Sequence, residues 1–196
     1  MLFTAGSCVT VNDYALVVGK LIGHGKGGYS YLADHNGQQV LLKQIHHEPR
    51  ARGSSDNTLE AEERDYLRLV QAGIRVPAML AIDRERELIV KEYIAGCTLL
   101  EIIAAGQATE PYFRPMRDMA AQAEAAGLNI DYFPGNFVVC GGLLYYIDYE
   151  CNAYTDEWSF ANWGMKFWAR TPEFEECLRQ KLLQTQAHLQ ALTERL

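Results

Sequence analysis

Residues 14–45 alternate short β-prone runs with turn punctuation: YALVVGKLIG, then YSYLAD, then the turn His35-Asn36-Gly37, then QQVLLKQI. Apolar runs of this length separated by turn residues predict three antiparallel strands. The polar stretch EPRARGSSDN that follows reads as a loop ending in a helix cap at Asn57 or Thr58. Leu59, Tyr66, Leu67 and Val70 then recur on one helical face until Gly73 and Pro77 stop the pattern, which predicts one helix over 58–72. AMLAIDRERELIVKEY supplies two more strands joined at Asp83 to Glu87. The first half is therefore expected to be a small sheet with one inserted helix.

After Gly96 the pattern changes. TLLEIIAAG and EPYFRPMRDMAAQAEAAG have helical spacing of apolar positions, and only NFVVCGGLLYYIDYE reads as strand, in two pieces around Gly141-Gly142. DEWSFANWGMKFW has the spacing of an aromatic-rich core helix with Asp156 or Glu157 as its cap. A last helix, capped by Thr171 with Pro172 at its first position, carries Leu178, Leu182, Leu189, Leu192 and Leu196 and is expected to pack on the second half rather than form a coiled coil. The division predicted is 1–95 and 96–196, α+β overall.

Composition narrows the class without choosing a function. The 196 residues are 48% hydrophobic and 22% charged, enough for one buried core or two small lobes and free of low-complexity sequence. A formal net charge of -7 disfavours a nucleic-acid partner, whose binding rests on a basic footprint. Cys8, Cys97, Cys140, Cys151 and Cys177 are odd in number and form no C-x-x-C pair, so they read as reduced thiols rather than disulfides or zinc ligands. Without a basic leader or an apolar run near the roughly 18 residues a bilayer needs, a soluble cytoplasmic protein with no membrane partner is expected.

Candidate chemistry lies in three clusters. In G-H-G-K-G-G, Gly23, Gly25 and Gly28 allow backbone N–H groups to approach phosphate oxygens. The last glycine opens a strand, which removes the helix that a dinucleotide-binding turn requires. Lys43 ends the apolar run V-L-L-K and needs an anion, with Glu62, Glu63 and Glu60 as candidates and Glu62 nearest the inward helical face. N-I-D-Y-F-P-G-N carries Asp131 and Asn136, and Y-Y-I-D-Y-E carries Asp148: hard oxygen ligands suited to magnesium with a nucleotide triphosphate, with one carboxylate left to handle a proton. The adjacent His46 and His47 point to opposite faces if extended, so an exposed pair is expected rather than a metal site.

On these residues the sequence resembles the protein-kinase-like superfamily over about residues 14–168, including the small lipopolysaccharide-type and aminoglycoside-type kinases. GHGKGGYSYLA looks like the Gly-rich loop, VLLK the strand ending in the phosphate-binding lysine, ELIVKEYIAG the hinge, NIDYFPGN the catalytic loop and IDYE the metal-binding segment. The resemblance implies a two-lobed fold, an antiparallel-sheet N-lobe with one helix and a reduced, mainly helical C-lobe. It implies ATP with Mg2+ or Mn2+ as cofactors. Lys43 oriented by Glu62 would hold the α- and β-phosphates, backbone near Glu92 and Ile94 would bind adenine, Asn136 and Asp148 would hold the metal, and Asp131 would be the base.

The expected activity is ATP-dependent transfer of the γ-phosphate to a hydroxyl, as in serine/threonine protein kinases, on an unknown protein or small-molecule acceptor. The alternative is a nucleotide-binding pseudokinase serving as a regulatory or interaction module, and the sequence departs from the family's pattern at three points. Asn129 and Phe133 replace cationic positions of the loop, and only nine residues separate Asp148 from Trp158, too few for a long activation loop.

Overall fold

A computed structural model describes residues 2–25, 27–45 and 59–180. The chain divides into two units, Met1–Gly96 with Tyr145–Cys151, and Cys97–Leu144 with Asn152–Leu196. The expected cap at Asn57 or Thr58, the pair His46 and His47, and the leucines from Leu182 onward lie outside the described residues.

The first unit is built on a six-stranded antiparallel sheet in the order β1-β2-β3-β4-β6-β5. Its strands are β1 (Cys8–Val11), β2 (Tyr14–Gly25), β3 (Gly28–His35), β4 (Gln38–Gln44), β5 (Met79–Asp83) and β6 (Leu88–Glu92). The edge strand β1 is absent from the sequence reading: CVTV is short, but its alternation buries Val9 and Val11 against Leu16 and Val18 of the neighbouring strand. Asn12 takes a positive φ of 50° at the turn that joins them.

Period-two alternation divides the sheet into two chemically different faces. Val18, Tyr31, Ala33, Val40, Leu42, Leu88 and Val90 join Val9, Val11 and Leu16 in one apolar core. The register Ser30↔Lys43↔Ile89 and Leu32↔Leu41↔Lys91 puts both lysines on the opposite face, since they alternate with Leu42 and Val90. There the helix α1 (Leu59–Gln71) packs Leu59 against Ile45 and Ile89.

The inward face of α1 differs from the one its apolar residues suggest. Leu59, Ala61, Asp65 and Leu69 are buried, with Glu62 beside them, whereas Leu67 and Val70 are exposed at 52% and 48%. Acids take inward positions because cations meet them: Asp65 accepts from Arg64 and Arg68, and Arg68 also donates to the Cys151 carbonyl.

The segment Tyr145–Cys151, placed in the second half by its position in the chain, packs with the first unit. The Tyr146 amide donates to the Arg75 carbonyl at 2.9 Å, and the buried Tyr149 hydroxyl donates to the Pro77 carbonyl at 2.6 Å. An otherwise polar turn is thus tied down by two long-range bonds and a stack of Tyr149 on Tyr66, ring centroids 4.9 Å apart.

The second unit contains β7 (Cys97–Thr98), α2 (Leu99–Ala104), α3 (Glu110–Ala125), β8 (Leu128–Ile130) and β9 (Phe137–Cys140); the chain then turns at Gly141-Gly142 into β10 (Leu143–Tyr146), whose last two residues belong to the first unit. Thr98 and Glu101 cap α2 reciprocally, side chain to backbone in both directions. The aromatic segment expected as one helix is instead three short pieces: a 3-10 turn Asp156–Trp158, a π turn Phe160–Gly164 and a 3-10 turn Met165–Phe167. Its cap is Ser159, whose hydroxyl accepts from the Asn162 amide. Phe160 and Trp168 are both buried and pack edge-on, while Trp163 packs against Phe167. Residues 172–180 are helical, and Thr171 caps them through the Phe174 amide at 3.1 Å.

Candidate functional site

Lys43 stands at the end of β4 because V-L-L-K alternates sides: Val40 and Leu42 enter the apolar core and Lys43 emerges on the α1 face. Its ammonium pairs with Glu62 Oε1. Among the three candidate acids only Glu62 is so placed, because Glu63 forms a two-oxygen pair with Arg84 and Glu60 is exposed.

A second lysine completes the cluster. Lys91, at the end of L-I-V-K in β6, is 3% exposed and lies 3.6 Å from Glu62 Oε2. Its ammonium also sits over the Tyr149 ring, 3.4 Å from the centroid. Glu62 Oε2 is buried and has no hydrogen-bond partner, so its contact with Lys91 is ionic. Burial pushes the Glu62 carboxyl up, but Lys91 and Lys43 outweigh it and hold the group below the usual carboxylate range. Burial draws the Lys43 ammonium down, and the charges of Glu62, Asp148 and Glu150 reverse this to a net rise. Lys91 goes the other way: burial, joined by repulsion from Lys43, lowers it to about 8 against the pull of Glu62 and Asp148.

The Gly-rich turn lies against this cluster. Gly23 pairs with Ser30, and Gly25 pairs with Gly28 to close the β2–β3 hairpin. A Cβ on Gly27 would stand 3.0 Å from Lys43 Nζ and 3.5 Å from Glu62 Oε1, so bare backbone abuts the ion pair. Gly28 has φ +139°, and a Cβ there would fall 2.1 Å from the Gln44 carbonyl oxygen. Gly28→Ala is therefore expected to cost at least about 1–3 kcal/mol in folding stability through backbone strain, measurable as a lower denaturant midpoint with unchanged slope.

The remaining sequence-selected residues lie on other segments of the chain. Asp148 lies on the Tyr145–Cys151 segment, its Oδ1 accepting from the Tyr149 amide at 2.8 Å. Glu92 is exposed at the end of β6, with its amide and carboxylate both engaged by Ala78, and Ile94 is buried. In the second unit, Asp131 Oδ1 accepts from the Phe133 amide at 3.0 Å and the Asp131 carbonyl accepts from Asn136 Nδ2 at 3.4 Å. These bonds close the loop on itself around the 3-10 turn Pro134–Asn136. Asn129 is buried, its Oδ1 accepting from the Thr155 amide at 2.6 Å while its Nδ2 has no partner. Phe133 is buried with its ring edge-on to Phe167.

Sequence reasoning passed over Lys91, Tyr149 and Trp168. The signal for the first was present, since L-I-V-K repeats the pattern of V-L-L-K. Trp168 holds the Asp131 loop from behind, donating from Nε1 to the Tyr132 carbonyl at 2.8 Å. Among the described residues there is no cluster of three His, Cys, Asp or Glu side chains able to hold a metal, and no helix long and apolar enough to cross a membrane. All five cysteines are free.

No family model matches the sequence, and no curated protein matches it. A solved structure does: the crystal structure of the BubR1 kinase domain, with TM-score 0.59 and 18% identity over 79% of this chain. The match covers 53% of that chain, so this protein spans about half the length of the kinase domain it resembles. The fold is thus protein-kinase-like, with a curled antiparallel sheet and few helices.

Proposed function

We propose that this chain binds ATP with magnesium or manganese and transfers the γ-phosphate to a hydroxyl, as a reduced, two-lobed kinase. The observation that carries the reading is the buried Lys43–Glu62 pair on the sheet face beside the bare backbone of Gly27. A lysine this buried is retained for an anion, and the glycine backbone supplies N–H donors at the same place. In this reading Lys43, oriented by Glu62, holds the α- and β-phosphates, and Gly23, Gly25 and Gly28 shape the turn over them. Asn136 and Asp148 hold the metal, whose hard-oxygen preference their side chains fit. Asp131 takes the acceptor proton, and the backbone near Glu92 and Ile94 contacts adenine. The acceptor is a protein serine or threonine, or a small hydroxyl compound; the site of action is cytoplasmic, without nucleic acid or membrane.

One observation favours a second reading. Phe133 is buried against Phe167, so the loop offers an apolar ring where charge stabilisation of a transferring phosphate calls for a cation. A nucleotide-binding pseudokinase would keep Lys43 and Asp148 and lose transfer. Incubation with labelled ATP and magnesium or manganese, with generic protein and metabolite acceptors, separates the two. Transfer that disappears in Asp131→Ala is expected. Magnesium-dependent thermal stabilisation by ATP without transfer selects the pseudokinase, and ATP stabilisation identical in wild type and Asp148→Ala removes the metal assignment.

A further inference from the structure

The two buried lysines share a single carboxylate. Lys43 takes Oε1 of Glu62 and Lys91 faces Oε2, so among the described residues the contact-range charges are two ammoniums and one carboxylate. The other neighbour of Lys91, the Tyr149 ring, attracts the cation through its π face and carries no charge to cancel it. Asp148 acts on both lysines, and Glu150 on Lys43, only through space. A plain Lys–Glu pair uses one carboxylate for one cation, whereas here Glu62 serves two, one on each oxygen. Lys91 is enclosed, and bare Gly27 backbone adjoins the Lys43 ammonium, so Lys43 is the cation of the two that stands beside backbone free of a side chain.

We infer that Lys91 is a positioning residue for polyphosphate binding: by facing Oε2 it holds the Glu62 carboxylate ionised and directs Oε1 to Lys43, so that the Lys43 ammonium is presented beside the Gly27 backbone to an incoming anion. The inference rests on the nucleotide-binding reading above and adds a residue to it. Lys91 need not touch the ligand. Its charge reaches the site through Glu62, which it also keeps ionised and turned toward the sheet. The depressed proton affinity of Lys91 comes first from burial and then from repulsion by Lys43, against the pull of Glu62 and Asp148.

The test compares ligands that differ in charge. Adenosine, inorganic tripolyphosphate and ATP are titrated by calorimetry into wild type, Lys91→Met, Lys91→Gln and Lys91→Arg, each first checked for a cooperative melt. Lys91→Met and Lys91→Gln are expected to weaken ATP and tripolyphosphate by about tenfold, within the usual range for coupling between groups, and to leave adenosine within about twofold. Lys91→Arg, which keeps the charge, is expected to restore ATP binding to within about threefold of wild type. Neutral variants that bind tripolyphosphate as wild type does overturn the inference and leave nucleotide binding intact. So does an equal loss for adenosine and ATP, or an Arg variant no better than Met, because either marks a role in packing. Wild type that binds neither ATP nor tripolyphosphate overturns the nucleotide-binding reading itself, and this inference with it. Two neutral variants of different shape keep the comparison available if one fails to fold.

Discussion

Glu62→Ala is expected to lower the unfolding free energy by about 3–5 kcal/mol, the usual cost of stranding a buried charge, and here one truncation strands two. Among the described residues Glu62 is the only carboxylate in contact range of both Lys43 and Lys91, whose side chains are 11% and 4% exposed. Without it the Lys43 ammonium has Asp148 and Glu150 through space, while Lys91 has Asp148 and the Tyr149 ring. The penalty should therefore fall mainly on Lys91, and Glu62→Leu combined with Lys91→Met should recover much of the loss because an apolar pair of similar volume has no ion to desolvate. The pH dependence has two limbs. Glu62 is held below its ordinary value, so its contribution is complete above that value and is lost as pH falls through the folded one. Lys91 is lowered from 10.5 to about 8, so the unfolded chain binds its proton more tightly and stability rises with pH across that window. Chemical denaturation of wild type, the single variants and the double variant checks all of this. A Glu62→Ala loss below about 1 kcal/mol, the range of exposed pairs, would show that water already reaches the cluster.

How much of this was legible in the sequence depends on which force decides each element. The strands β2 to β6 and the extent of α1 follow from alternation and turn residues, local signals that the chain carries openly. The inward face of α1 was misread at Leu67 and Val70, which were counted as inward and are exposed, whereas Asp65 takes an inward position held by Arg68 of the same helix, and Glu62 meets Lys43 and Lys91, two cations that the sheet brings to it. The rule that a lysine ending an apolar strand must find an anion picked out Lys43, and applied again at L-I-V-K it would have found Lys91. Tyr149 was unreadable: its ring lies under Lys91 and its hydroxyl reaches Pro77, 72 positions away, a pairing without a local signature. The broken course of 156–168 was hidden by a good helical spacing of aromatics, since the need to bury Phe160 and Trp168 together comes only from the surrounding rings.

Trp168 is the other position where one side chain carries a large share of stability, and Trp168→Ala is expected to cost about 3–5 kcal/mol. The side chain is fully buried, with Phe137 and Phe160 edge-on to it at centroid distances of 5.3 Å each and Phe113 at 6.1 Å. Truncation would leave a void among three rings held by separate segments, so collapse onto it is hindered and the cavity cost persists. A second loss is polar: the Tyr132 carbonyl, which accepts from Trp168 Nε1, stands next to Asp131 in the chain. Trp168→Phe separates the two effects. It keeps most of the apolar volume and removes the donor, so stability should fall by only about 1–3 kcal/mol, while the loop that presents Asp131 and Asn136 loses its rear anchor. Amide hydrogen exchange of Phe133 and Asn136, whose N–H groups bond to Asp131 Oδ1 and the Phe133 carbonyl, reads that loosening directly. Faster exchange at these two amides in Trp168→Phe, with the protection of β1 to β6 unchanged, is the expected result. Unchanged exchange at both would show that the loop's own bonds suffice to hold Asp131, and that Trp168 serves packing alone.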